Sequence, residues 1–160
     1  MTGFSNILKG TIEFESIKNA IESGRLPMGV IGLSQIHKAH YISALCENIG
    51  KAALIVCHDE GTASKLCDDL NALSGGAYLY PARDFSFRSA DNKSHEFEQK
   101  RIGVLSRILD GECKYVLCSA EGAMQLTLPD YELKKRTLRL CVEDERSTHE
   151  IVNTLLSAGY

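Results

Sequence analysis

Apolar positions Phe14, Ile17, Ala20 and Ile21 recur at helical spacing and stop at Gly24, where a C-terminal cap is expected, so the first element is a short amphipathic helix. A compact apolar run at residues 28–32 then ends in glycine, and from Ile36 the pattern turns helical through Ala39, Ile42, Ala44 and Leu45. This predicts strand, tight loop and helix. The unit repeats: residues 52–57 form a continuous buried-type strand, and Ala63, Leu66, Cys67, Leu70 and Leu73 line one face of the next helix, closed by Gly75 and Gly76. A short strand at 77–80, an irregular polar stretch, a long helix at 94–109 and a buried strand at 114–119 follow. Strands this apolar, alternating with helices, call for an α/β fold with a parallel sheet covered by helices on both faces.

Beyond Met124 the pattern changes. Leu128-Pro129-Asp130 punctuates the chain, and the alternation Leu138, Leu140, Val142 describes a half-exposed strand. Ser147 with Glu150 three residues on forms a capping-box pattern for a last helix, whose apolar face is Ile151, Val152, Leu155 and Leu156. The expected organisation is one α/β domain over 1–124 and the first part of a small α+β module over 125–160, since one strand and one helix cannot enclose a core.

The composition fits a folded domain: 160 residues, 44% hydrophobic and 24% charged, with three prolines. A net charge of -3 argues against a surface built to neutralise nucleic-acid phosphates. Residues 1–10 do not read as a secretory signal and no apolar run would span a bilayer, so a cytoplasmic protein with no membrane partner is expected. The six cysteines (Cys46, Cys57, Cys67, Cys113, Cys118 and Cys141) lack a CxxC pair and read as small hydrophobes in a reducing compartment.

The chemistry to weigh lies at residues 32–39, which hold the place and spacing of a phosphate-binding loop, GxxxxGK[ST]. In such a loop glycines let backbone N–H groups curl around phosphates, lysine neutralises charge and a hydroxyl ligates magnesium. Gly32 and Lys38 match. The second glycine is His37 and the Ser/Thr is Ala39, so neither the glycine nest nor the magnesium ligand is present and hydrolysis at this loop should be lost. A strand-ending glycine followed by an ordinary helix would have the same spacing. His37 and His40 lie one turn apart with no carboxylate or thiol partner in spacing, and read as surface histidines rather than a metal pair. Asp68-Asp69 and Asp144-Glu145 are adjacent and do not share a helix face as an acid/base pair would, and no catalytic residues are expected.

Downstream, Leu79-Tyr80-Pro81-Ala82-Arg83-Asp84 is followed by Ser94-His95-Glu96, Gln99-Lys100-Arg101, the segment Ser119-Ala120-Glu121-Gly122-Ala123-Met124-Gln125 and the ending Ala158-Gly159-Tyr160. Pro81, Asp84, His95, Glu96, Arg101, Met124, Gln125, Gly159 and Tyr160 carry the ordered motifs by which the chain resembles the N-terminal module of the bacterial transcription-repair coupling factors: an LPxxD turn, an SPHxE helix start, an arginine-bearing helix, an Ala-Met-Gln segment and a Gly-Tyr helix end. The likeness runs from about Gly29 to Tyr160. It departs before His95, where the family usually has a proline and this chain has Lys93-Ser94, and at Phe85-Ser86-Phe87-Arg88.

The resemblance implies a UvrB-like domain that keeps the fold of a phosphate-loop NTPase without its working loop, hence no cofactor for this chain. The parent protein would carry a downstream ATP- and magnesium-dependent DNA translocase, act on stalled RNA polymerase and DNA through other domains, and recruit UvrA to excision repair. The family's UvrA contact lies largely in the second module, with key residues after the position of Tyr160. UvrB itself is disfavoured, because residues 81–93 are too few for its aromatic-rich hairpin and offer only Phe85 and Phe87. The rivals are an independent nucleotide-binding protein or NTPase, favoured by Gly32 and Lys38, and a DNA-binding fragment using Lys93, Lys100, Arg101 and Arg107.

Overall fold

The computed structural model describes residues 7–83, 96–138, 140–142 and 144–158. Its elements are α1 (Ile12–Glu22), α2 (Gln35–Ile49), β1 (Ala53–Cys57), α3 (Glu60–Leu73), β2 (Ala77–Leu79), α4 (Glu96–Leu109), β3 (Tyr115–Ser119), α5 (Ala120–Met124), α6 (Asp130–Arg136) and α7 (Thr148–Ala158). The chain divides into two compact units, Met1–Gln125 and Leu126–Tyr160.

In the first unit β3 is the centre of a parallel sheet of order β1-β3-β2, with Ala53 and Ala77 both in register with Tyr115. The period-2 geometry of a strand sends Tyr115 and Leu117 to one face and Val116 and Cys118 to the other. On the first face Ala39 of α2 and Ala63, Leu66, Cys67 and Leu70 of α3 join them in the main core. On the second, Val104 and Leu105 of α4 pack with Tyr78, Tyr80 and Cys118. Helices therefore lie on both faces, as the alternation of elements predicts. On α2, which packs against α3, the buried residues are all small: Ala39, Ser43 and Ala44.

Tyr115 is fully buried, and its hydroxyl lies 3.0 Å from Ser74 Oγ and 3.4 Å from Ser43 Oγ, themselves 3.2 Å apart. This triangle ties β3 to α2 and to the end of α3 and gives the buried Tyr115 and Ser43 hydroxyls their partners. Tyr115→Phe leaves Ser43 and Ser74 bonded to each other. It should cost about 1 kcal/mol in urea unfolding, the net worth of an ordinary buried hydrogen bond.

Three expectations are corrected. Residues 28–32 form no strand: the segment joins no ladder among the described residues, and Ile31 is 95% exposed. Apolarity makes a strand only where a neighbour takes up its N–H and C=O groups, and Pro27 at its entry has no N–H to give. Strand β1 is not buried on both faces, because Leu54 and Val56 are 70% and 53% exposed. The α4 cluster covers β2 and β3, leaving that side of β1 open among the described residues. The alternation Leu138, Leu140, Val142 is not a strand either. Asp144 N–H donates to Cys141 O at 3.1 Å and its carboxylate accepts from Cys141 N–H at 3.3 Å, closing a local turn that competes with extended pairing.

The second unit holds α6 and α7 packed against each other, with Leu133 buried. Helix α6, beginning after Pro129, was not foreseen, while α7 starts as its capping box predicts: Glu150 N–H donates to Ser147 Oγ at 3.2 Å and Ser147 N–H to Glu150 Oε2 at 3.3 Å. Val152, Leu155 and Leu156 remain exposed on α7. No helix among the described residues is long and apolar enough to cross a membrane.

Candidate functional site

Two places gather the residues singled out by sequence: the loop before α2 and the corner where β2 and β3 end. In the loop, Gly32 has φ +86°, a left-handed conformation that favours glycine. Ser34 then caps α2, its hydroxyl accepting from His37 N–H at 3.5 Å and its carbonyl from Lys38 N–H at 3.0 Å. His37 and Lys38 are exposed, whereas Ala39 is 1% exposed and part of the main core. The position that would carry a magnesium-binding hydroxyl thus faces packed hydrocarbon. Burial pushes the Cys57 thiol up, Asp59 adds to this, and Lys38 opposes it. There Asp59 caps α3, accepting from Thr62 N–H at 2.7 Å and Thr62 Oγ1 at 3.1 Å and pairing with His58. The Thr62 N–H foremost holds its carboxyl below the usual range. His40 is half-buried and engaged, and among the described residues no group of three His, Cys, Asp or Glu could hold a metal ion.

The strand-end corner is more highly organised. Helix α4 presents Arg101 on the same face as Val104 and Leu105, so its guanidinium is carried into the apolar layer and is 3% exposed. It stacks 4.0 Å from the Tyr80 ring centroid, and Nη1 donates to Pro81 O at 2.7 Å and Gln125 Oε1 at 3.1 Å. Gln125 Oε1 also accepts from Arg83 N–H at 2.7 Å, while Gln125 Nε2 donates to Arg83 O at 3.3 Å. Ala82 N–H donates to Glu60 Oε2 at 3.2 Å, which anchors the same turn to the start of α3. Arg101 Nη2 is buried and has no hydrogen-bond partner among the described residues. Burial pushes the guanidinium down from its ordinary value, Tyr80 opposes this, and Arg83 adds to it.

Three of the motif residues, Pro81, Arg101 and Gln125, therefore meet in one clasp. Met124 does not join it and is 86% exposed. Glu96 lies in the first turn of α4 and pairs with Lys100 at 2.7 Å, a bond that holds its carboxyl below the usual range. Asp84, His95, Gly159 and Tyr160 lie outside the described residues, as does most of the 81–93 stretch weighed for an aromatic hairpin. Tyr80, Arg83 and Glu60 were missed as members of the corner. The legible signal was Arg101 itself, a cation three and four residues before the apolar pair Val104 and Leu105. The clasp offers a cation, backbone groups and an amide, which bind and orient.

The chain is similar to a protein of Bacillus subtilis (strain 168) described as transcription-repair-coupling factor, with 26% identity over 163 residues. The alignment covers all of this chain and 14% of that protein. It bears out the resemblance drawn from the ordered motifs. No family model matches, and no solved structure matches significantly.

Proposed function

We propose that this chain is a non-catalytic interaction and regulatory module of a transcription-repair coupling factor, a cytoplasmic protein that couples removal of stalled RNA polymerase to nucleotide excision repair by recruiting UvrA. The observation that carries the reading is the whole-chain similarity to a transcription-repair-coupling factor. The loop supports the non-catalytic part: its own residues put a bulky ring at His37 and hydrocarbon at Ala39, where a UvrB-like NTPase scaffold would need a glycine and a hydroxyl. ATP, magnesium, DNA and RNA polymerase belong in this reading to other domains of the parent. The rival, an independent nucleotide-binding protein or NTPase with an atypical loop, rests on Gly32, Lys38 and the α/β order of elements.

The test is capture of purified UvrA by this chain and by a version extended at its C-terminus through the complete second module. Capture by the extended version, with at least tenfold less by this chain, is expected. Equal capture by both would move the contact into residues 1–160, and capture by neither would sink the recruitment role.

A further inference from the structure

Arg101 is a buried guanidinium whose only side-chain acceptor among the described residues is a neutral amide, and half of its terminal donors go unused there. An arginine fork is matched by a planar carboxylate with two oxygens, one for each terminal nitrogen. Gln125 Oε1 already stands where one such oxygen would be, accepting from Arg83 N–H at 2.7 Å and Arg101 Nη1 at 3.1 Å. Gln125 is half-buried and its bonds to Arg83 lie at the surface, so among the described residues its side chain stands between Arg101 Nη1 and the surface. Arg83, exposed beside it, adds a second positive charge.

We propose that the corner is a carboxylate receptor plugged by Gln125, in which an aspartate or glutamate side chain of a protein partner displaces the amide and takes Arg83 N–H, Arg101 Nη1 and Arg101 Nη2. The incoming anion supplies the charge that the amide lacks and engages the unused nitrogen, while Pro81 O keeps its bond to Nη1. The proposal rests on this geometry and not on the coupling reading.

The test uses the full chain with the cover removed, Gln125→Ala, and sodium acetate as the probe at constant ionic strength. The readouts are the Arg83 amide and Arg101 guanidinium resonances. A saturable shift is expected in Gln125→Ala, with half-saturation at least tenfold lower in acetate than in the unsubstituted chain. Gln125→Glu, which places a carboxylate in the fork and gives up only the exposed bond from Nε2 to Arg83 O, should abolish the response and raise Tm by a few degrees. No acetate response in Gln125→Ala, an equal response with Gln125 present, or a response to inorganic phosphate but not to acetate would each overturn the proposal. Should Gln125→Ala fail to fold, a Gln125→Glu chain no more stable than the original would overturn it as well.

Discussion

Replacing Ala39 with threonine, the residue a working phosphate loop would carry there, should destabilise the first unit by about 1–3 kcal/mol and confer no nucleotide binding. Ala39 is buried in the cluster that includes Ala63, Leu66 and Leu70, where α2 and α3 pack against the sheet. Threonine adds a methyl and a hydroxyl to that packed space. The hydroxyl can be satisfied only by bonding back to its own helix, and the added volume must push the helices apart. His37→Gly, at an exposed position, should add only the difference in helix propensity between histidine and glycine, about 0.5 kcal/mol or less. Thermal melts of the double variant with and without millimolar Mg-ATP check both claims. A ligand bound only to the native state at a hundred times its Kd adds about 2.7 kcal/mol, so a rise of several degrees with Mg-ATP in the unsubstituted chain would contradict the reading of the loop as inactive, and one in the double variant would contradict the claim that the substitutions confer no binding.

Leu70→Ala should have the larger effect on stability, about 2–5 kcal/mol, because it deletes a fully buried side chain from the middle of the main core and leaves a cavity that neighbours refill only in part. Set against a typical total of about 5–15 kcal/mol, that loss brings a marginal domain close to unfolding at 37 °C. Urea titration should show a lower midpoint at unchanged slope. A change under about 1 kcal/mol would mean that α3 does not hold the core. The carbonyl of Leu70 also accepts from Ser74 and Gly75 N–H, so the turn into β2 starts from this residue, and the backbone bonds survive the substitution.

Most helices were legible because their signals are local. The face of α3 is written at three- and four-residue spacing, and the Ser147 and Glu150 cap of α7 is a contact between residues three apart. Strands were less legible, since pairing is not a property of the strand itself. Residues 28–32 and 52–57 look alike as apolar runs, yet only the second finds a neighbour, in Tyr115–Ser119, some sixty residues away. The alternation at 138–142 was outweighed by a single aspartate bonding to its own turn.

The candidate site divides in the same way. That the loop at 32–39 lacks a glycine and a hydroxyl follows from residue identity alone, because no fold can give His37 the freedom of glycine or Ala39 a ligand atom. That Ala39 is core was decided by α3 packing over it, and that Pro81, Arg101 and Gln125 form one clasp was decided by the chain after β2, the first half of α4 and the end of α5 meeting at one corner. Local chemistry reads along the chain, whereas burial and long-range partners are set by which surfaces the folded backbone brings together.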